Sequence, residues 1–354
     1  MQVPLAIALG MDKFIGALST VANALPDEHL DTRKDLEAYY DLPLEKVFPK
    51  PPVPKSVYIS TAKPRGPVTA QDFRFDSAYE PLTPGYKTRH EREYAANRQV
   101  MGRILHHSDG HPRPIALYIH GWMQSGAQIE ERVLFPKLQR ELDVDIAHLH
   151  LPFHGRRKPA DQLVHGTLFW TSDLVRSFEA MRQSVSDVRQ VVYYLQERFQ
   201  VPVGLVGVSL GGVVAMTTLC VEESLAFAVP IIAHQSLSDA VMRAPILTRM
   251  NKELSKQGLT QESLQEIERK IGLGRLKPAI PPERQLWINA RNDLLIHADA
   301  VERQWEAWGK PPIRWYEGSH MSIVFELSNV TRWCREFLDG LQLVPRHGAR
   351  RRVA

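Results

Sequence analysis

The sequence has 354 residues, of which 44% are apolar, and its formal net charge at neutral pH is only +4. This length can bury a large core, in one domain with an insertion or in two domains. The small charge gives little reason to expect a nucleic-acid partner, and no apolar run reaches the roughly 18 residues of a membrane-spanning helix. Two cysteines, Cys220 and Cys334, exclude a disulfide framework, so we expect buried thiols and a cytoplasmic protein.

Residues 1–55 predict a helical extension that ends in a stiff, proline-rich linker at 49–54. The extension would dock onto the core or onto a second subunit in a homodimer, or it would lie on a membrane surface. The chain start lacks the basic region and cleavage site of a signal peptide. A basic tail at 346–354 is expected to be disordered and solvated. The predicted apolar face of the helix consists of Met11, Phe14, Ile15, Leu18, Val21, Ala22 and Leu25.

Residues 56–345 predict an α/β domain, because strand and helix patterns alternate from residue 115 onward. Before that point, residues 57–105 are strand-like throughout. The predicted strands are Ile115–Ile119, Val144–Leu149, Val201–Val206, Phe227–Ile232, Leu286–Ala290 and Ile313–Tyr316. The predicted helices are Glu130–Leu142, Asp173–Phe199, Gly211–Leu219, Ala298–Trp308 and Asn329–Leu341. Residues 235–282 are too many for a simple crossover and carry helical patterns, so they predict a helical cap over the active-site end of the sheet.

The stretch Gly207-Val208-Ser209-Leu210-Gly211 has the form G-x-S-x-G and lies between a β-branched apolar segment and a small, apolar helix. A strand, a glycine-flanked turn and a helix form a nucleophile elbow, which lifts a serine hydroxyl above the end of a parallel sheet. The alternative is a glycine-rich turn whose serine only caps the helix. A catalytic serine also requires a base and an acid that orients the base.

Both partners have candidates at the carboxyl ends of late strands. Asp293 follows the strand Leu286–Ala290, in the crevice where parallel sheets bind ligands, and is the predicted acid. His320 follows the last strand, Ile313–Tyr316, and is the predicted general base. The chain order Ser209, Asp293, His320 is the order expected for this type of sheet.

Acyl transfer also needs two hydrogen-bond donors aimed at the developing oxyanion. The backbone N–H of Leu210, directly after the serine, is one candidate. The N–H of Trp122, in the turn after Ile115–Ile119, is the other, with Met123 as the fallback if the turn is shifted by one residue. Taken alone, His120-Gly121 is an ordinary turn at the end of a strand.

These features together resemble the α/β-hydrolase superfamily, over residues 100–341. The long amphipathic helix Asp173–Phe199 before the elbow strand is similar to that superfamily as well. The stretch Leu151-Pro152-Phe153-His154-Gly155-Arg156-Arg157-Lys158-Pro159 resembles relatives of α/β-hydrolase domain-containing protein 18. Dienelactone-hydrolase-like and acetyl-xylan-esterase-like enzymes have a comparable layout.

Further residues are candidates for contact with the substrate: His154, Arg156, Trp170 and Met123. Arg156 and Arg157 could bind a substrate carboxylate or phosphate, and a structural salt bridge under the cap is the alternative for both. For Trp170 the alternative is packing against the cap. His148 and His150 share one face of a strand, but no carboxylate or cysteine cluster beside them in sequence completes a ligand set, so we expect no metal and no cofactor.

The sequence therefore predicts a serine hydrolase that acts on a small-molecule carboxylic ester or a related acyl compound. Two alternatives remain open at this stage. One is an acyltransferase that passes the same acyl group to an alcohol or amine. The other is a non-catalytic, partner-binding protein that keeps the fold.

Overall fold

A computed structural model of the chain describes residues 4–22 and 33–343, and within these ranges ten strands form one sheet. The strands are β1 (Tyr58–Ile59), β2 (Lys63–Arg65), β3 (Val68–Asp76), β4 (Gln99–His107), β5 (Ile115–Ile119), β6 (Asp145–Leu149), β7 (Val203–Val208), β8 (Ala228–Ile231), β9 (Trp287–Ala290) and β10 (Ile313–Tyr316). Their order across the sheet is β1-β3-β4-β6-β5-β7-β8-β9-β10, with β2 paired to β3 beside this path.

The α-helices of the described ranges cover both faces of this sheet. In chain order they are α1 (Leu5–Ala22), α2 (Arg33–Leu36), α3 (Leu44–Val47), α4 (Pro84–Arg92), α5 (Gln128–Val133), α6 (Phe135–Leu142), α7 (Leu174–Phe199), α8 (Leu210–Leu219), α9 (Leu237–Arg243), α10 (Thr248–Lys256), α11 (Gln261–Lys270), α12 (Ala298–Ala307) and α13 (Leu327–Leu341). None of them is long and apolar enough to cross a membrane.

The sheet has an antiparallel part and a parallel part. Strands β1 to β4 pair antiparallel, and β4 joins the rest by antiparallel pairing with β6. From β6 to β10 all neighbours are parallel. The loops that follow β5, β7, β9 and β10 therefore leave the same edge of the sheet, which brings residues distant in sequence to one place.

Two apolar clusters sandwich the sheet. One contains α7 and α8, and the other contains α6 and α13. Helix α7 is buried along most of its length, and it begins at Asp173, whose side chain accepts the N–H of Arg176 at 3.0 Å. Such an N-cap satisfies one of the amides that the first helical turn leaves without a partner. Both cysteines are buried, Cys220 beside α8 and Cys334 in α13.

The predicted strands from residue 115 onward are confirmed to within two residues at each end. Two predictions were wrong in detail. The expected helix Glu130–Leu142 is split into α5 and α6, because Pro136 in the first turn of α6 has no N–H to continue the helix before it. The strand-like region 57–105 also contains the helix α4.

Helix α1 differs from its prediction as well. It begins at Leu5, and the residues that it buries include Ala8 and Asp12, whereas Phe14 of the predicted apolar face is 67% exposed. Leu25 and the basic tail at 346–354 lie outside the described residues. The linker at 49–54 lies along α7, where Arg189 donates a hydrogen bond to the carbonyl of Pro49 at 3.0 Å.

Candidate active site

The turn between β7 and α8 holds Ser209 in a conformation that few non-glycine residues adopt. Its φ is 55° and its ψ is −117°, outside the favoured regions for an L-residue. The neighbouring glycines are required by space. A Cβ at Gly207 would lie 2.1 Å from the carbonyl oxygen of Gly211, and a Cβ at Gly211 would lie 2.0 Å from that of Ile119. The tight turn raises the serine hydroxyl at the end of the parallel strands.

The three side chains predicted from the sequence as nucleophile, base and acid are connected by hydrogen-bond contacts. The Nε2 atom of His320 lies 2.9 Å from Ser209 Oγ, and its Nδ1 atom lies 2.8 Å from Asp293 Oδ2. The other carboxylate oxygen of Asp293 accepts the N–H groups of Leu295 at 2.7 Å and Ile296 at 2.8 Å. A proton on Nδ1 is donated to Asp293, so Nε2 is left to accept a proton from the serine.

The electrostatic environment of His320 favours its protonation. Burial disfavours the charged ring and alone would lower its pKa. The Asp293 carboxylate raises that pKa through its charge and its hydrogen bond, and the charge of Asp12 adds to the effect. The net result is a pKa of His320 above the ordinary histidine value, which suits a base that must take up a proton.

The turn after β5 lies beside the serine and is fixed by three side chains. Gln124 Oε1 accepts the N–H of Gly121 at 2.6 Å. His120 joins the carbonyl of Gly121, 2.8 Å from its Nδ1, to the N–H of Leu151, 3.1 Å from its Nε2. Burial lowers the pKa of His120 to about 4, so the ring is neutral, with the proton on Nδ1. The indole N–H of Trp122 donates to the carbonyl of Gly166 at 2.7 Å.

The amides proposed from sequence as oxyanion donors border the same space. Leu210 begins α8, and Trp122 and Met123 line the cavity at Ser209. None of the hydrogen bonds within the described residues uses the backbone N–H of Leu210, Trp122 or Met123. Met123 has a φ of 62°, which bends the turn sharply at that residue. These amides are therefore available to a ligand.

Ser209 and His320 open into an apolar cavity of about 630 Å³. Its walls come from the elbow, from α5, from α1 and from the helices between residues 237 and 270, which we call the cap. Trp170 and Met123 line it, as the sequence predicts for substrate contact. Among the described residues that line the cavity, none is a lysine or arginine, and the single carboxylate, Glu130, is bound by Gln124 at 2.8 Å.

Two other residues predicted to contact the substrate do not reach this cavity. His154 is completely buried beside Phe169 and His120, and its Nδ1 lies 2.8 Å from the carbonyl of Pro152. The backbone of Gly166 covers its other nitrogen, so that a Cβ there would lie 2.2 Å from Nε2. Arg156 lines a separate cavity of about 640 Å³ beside β3 and β4.

His148 in β6 and His150 directly after it have structural contacts. The Nε2 of His148 lies 2.9 Å from Glu131 Oε1, and the ring of His150 packs against the backbone of Gly155. Within the described residues, no group of three or more His, Cys, Asp or Glu side chains is arranged to hold a metal ion. Arg157 is fully buried, pairs with Asp187 of α7 at 2.7 Å and donates to the carbonyl of Asn97 at 2.6 Å, so it has a structural salt bridge whose partner is not a cap residue.

Two residues of the site, Gln124 and Asp12, were not predicted from the sequence. Gln124 closes the turn after β5, and its position four residues beyond His120 offered no motif. Asp12 of α1 reaches the backbone of His320 at 3.0 Å. The available signal was that Asp12 is the one acidic residue of the largely apolar segment 5–22. An acidic side chain is rarely buried without a partner, so its presence there indicates a specific polar contact.

Comparisons with known proteins agree with this fold. Residues 126–271 match the family described as "Alpha/beta hydrolase domain containing 18". An uncharacterized protein of Mycobacterium tuberculosis (strain ATCC 25618 / H37Rv) is 29% identical over 304 residues, which cover 84% of this chain and 71% of that protein.

Solved structures with a similar fold include two acetyl xylan esterases. The enzyme from Paenibacillus sp. R4 has a TM-score of 0.58 at 12% identity and covers 90% of this chain and 99% of its own. Acetyl xylan esterase 1 from Thermoanaerobacterium sp. JW/SL YS485 has a TM-score of 0.57 at 12% identity, with coverages of 87% and 94%. The α/β-hydrolase fold predicted from the sequence is confirmed, as is the layout shared with acetyl-xylan-esterase-like enzymes.

Proposed function

We propose that this chain is a serine hydrolase of the α/β-hydrolase superfamily and that it cleaves carboxylic esters. The observation that carries the proposal is the hydrogen-bonded chain from Ser209 through His320 to Asp293 at the wall of an apolar cavity. A serine, a base and an orienting acid in this geometry are the parts that acyl transfer requires.

In the proposed reaction, His320 takes the proton of Ser209 as the serine oxygen attacks the ester carbonyl. The imidazolium that forms is stabilised by Asp293. The negative charge that develops on the carbonyl oxygen is met by the amides of Leu210 and Trp122, whose N–H groups have no acceptor among the described residues. His320 then gives its proton to the leaving alkoxide, which leaves an acyl-enzyme on Ser209. In the deacylation step His320 activates a water molecule, which attacks the acyl group and releases the carboxylic acid.

The cavity favours a lipophilic substrate. Aliphatic side chains such as Val213, Leu237 and Leu273 surround the space next to the serine, and no lysine or arginine of the described residues lines it. An anionic group would lose its hydration there without gaining a lysine or arginine of the described residues as a partner. An uncharged ester with an extended apolar acyl chain fits this lining, because each buried methylene contributes about 0.8 kcal/mol.

Labelling with a fluorophosphonate probe tests the catalytic proposal. Wild type should react covalently, and Ser209→Ala should not, because the probe requires an activated serine oxygen. A serine outside the site, such as Ser328 in α13, provides the matched control, and Ser328→Ala should label like wild type. A folded wild type that stays unlabelled would overturn the proposal.

A series of p-nitrophenyl esters of increasing acyl length tests the substrate class. We expect kcat/KM to rise by up to roughly fourfold per methylene until the cavity is filled. Ala240→Leu in α9, which narrows the cavity, should lower the preferred length, whereas Ala307→Leu on the exposed side of α12 should not. A maximum at the acetyl ester in wild type would contradict the proposed class.

A further inference from the structure

Two buried residues of helix α1, one turn apart, lie behind His320. Ala8 and Asp12 are both fully buried. The carbonyl of Ala8 and the carboxylate of Asp12 each lie 2.8 Å from Ser319 Oγ, which has one proton to donate between them. The helix is thus joined by polar contacts, and not only by apolar packing, to the loop that carries the proposed base.

The Asp12 carboxylate bridges the two loops that carry the acid and the base. One oxygen accepts the N–H of His320 at 3.0 Å and that of Leu294 at 3.2 Å. The other accepts the N–H of Met321 at 2.8 Å. Leu294 is the residue directly after Asp293, so a single side chain fixes the backbone beside both members of the pair.

These contacts explain why a carboxylate is buried here. His320 precedes a 3-10 turn, Met321–Phe325, whose first amides point away from their own turn and need an acceptor. Two carboxylate oxygens can serve several N–H groups at once, which no apolar side chain can do. Within the described residues no lysine or arginine pairs with Asp12, so its charge is not neutralised locally and acts on the neighbouring ring.

We propose that Asp12 is a positioning residue for the Ser209–His320–Asp293 line: it sets the spacing of the two loops and adds negative charge behind the histidine. This inference rests on the proposed function. Helix α1 then forms part of the active site, since Asp12 contacts the loop of His320 and Ile15 of the same helix lines the cavity.

His234 lines the same cavity as His320, and burial lowers the pKa of His234 to about 4, so its ring is neutral at neutral pH. Three further ionisable groups of the described residues lie behind His320. They are Asp293 after β9, Asp12 in α1, and Tyr316 at the end of β10, whose hydroxyl donates to the carbonyl of Ser319 at 3.0 Å. Burial raises the pKa of Tyr316 far above its usual value, so it stays neutral. The charge behind the ring therefore comes from the two aspartates, and removal of either should lower the pKa of His320.

The test measures the rate of fluorophosphonate labelling as a function of pH for the full-length wild type, Asp12→Asn and Asp35→Asn. Asparagine keeps the size of the side chain but loses the charge and one acceptor. We expect Asp12→Asn to label roughly 10- to 100-fold more slowly, because small displacements of reacting groups are costly, and its midpoint should move to lower pH. Asp35 is exposed, so Asp35→Asn should match wild type in both respects.

A wild-type rate in Asp12→Asn would overturn the inference. A slower rate with an unshifted midpoint would overturn it too, because general loosening of the fold gives that result. If wild type itself is not labelled, the proposed function fails, which is a distinct outcome.

Ser319→Ala covers the case in which circular dichroism finds Asp12→Asn unfolded. This variant keeps the Asp12 charge and removes one contact between α1 and the loop. It should label several-fold more slowly with the wild-type midpoint and the wild-type melting temperature. A wild-type rate, or a slower rate accompanied by a lower melting temperature, would overturn the inference.

Discussion

Asp293 is fixed on both of its oxygens, and only one of them faces His320. Oδ2 lies 2.8 Å from His320 Nδ1, while Oδ1 is held by the amides of Leu295 and Ile296. The carboxylate cannot rotate without breaking these bonds, so it orients the imidazole. The contacts of Asp293 with His320 therefore allow predictions for the activity of a variant at Asp293 and for the pH dependence set by His320.

Replacing Asp293 with asparagine should lower kcat by about 10³- to 10⁴-fold. The amide can present its NH₂ group to His320, which favours the tautomer with the proton on the nitrogen that must accept one from Ser209. Steady-state hydrolysis of an apolar p-nitrophenyl ester measures the loss, with Asp35→Asn as the control. A decrease below tenfold would contradict the role assigned to Asp293.

The pH dependence of kcat/KM should follow the neutral form of His320. Because Asp293 and Asp12 together outweigh the effect of burial, the pKa of His320 lies above its usual value. Activity should therefore rise with pH and reach its plateau only above the range in which an ordinary histidine titrates. A rate profile in buffers of constant ionic strength checks this, and a midpoint at or below the usual histidine value would be contrary to it.

Arg157→Met should destabilise the fold by about 3–5 kcal/mol, because it leaves a buried partner charge unpaired. Arg157 and Asp187 are both fully buried, and the arginine also donates to the carbonyl of Asn97 at 2.6 Å. Urea unfolding gives the free energy. The neighbouring Arg156 is exposed, so Arg156→Met should stay within about 0.5 kcal/mol of wild type. Equal effects of the two substitutions would refute the prediction.

Glu268 in the cap should make stability fall as the pH rises toward neutrality. Burial raises its pKa to about 7, although the N–H and hydroxyl of Ser238 donate to its carboxylate at 2.9 and 2.6 Å. A raised carboxyl pKa means that the folded state prefers the proton, so stability is lost between the ordinary glutamate range and about pH 7.

Glu268→Gln should remove this pH dependence of stability. As the pH rises from 5 to 8, the unfolding free energy of Glu268→Gln should increase relative to that of wild type by roughly 1–3 kcal/mol. Thermal unfolding at a series of pH values measures the difference. Glu223, an exposed glutamate outside the cap, supplies the control substitution to glutamine. Parallel curves for wild type and Glu268→Gln would show that the buried carboxyl does not titrate in this window.

The positions of Ser209, Asp293 and His320 follow from local sequence, because each lies within four residues of the end of a strand with a clear apolar pattern. Parallel pairing from β6 to β10 brings those strand ends together without further information. The break between α5 and α6 was also readable, since Pro136 marks it.

Other features depend on contacts that no local pattern encodes. His154 is directed into the core by Phe169 and by the backbone of Gly166, both more than ten residues further along the chain. The carboxylate of Asp12 accepts the N–H of His320, which lies 308 residues later in the chain. Periodicity alone placed Phe14 on the buried face of α1, because it weighs apolar character and not the amides that a distant loop leaves free.

The distance in sequence between Asp12 and His320 has a consequence for the newly made chain. Ribosomes add about 5–20 residues per second, so roughly 15 to 60 s separate the synthesis of the carboxylate from that of its partners 308 residues later. Ser209 is also translated 111 residues before the histidine that would activate it. In the proposed mechanism Ser209 is therefore latent during elongation, because His320 can reach its hydroxyl only after the last strand has joined the sheet.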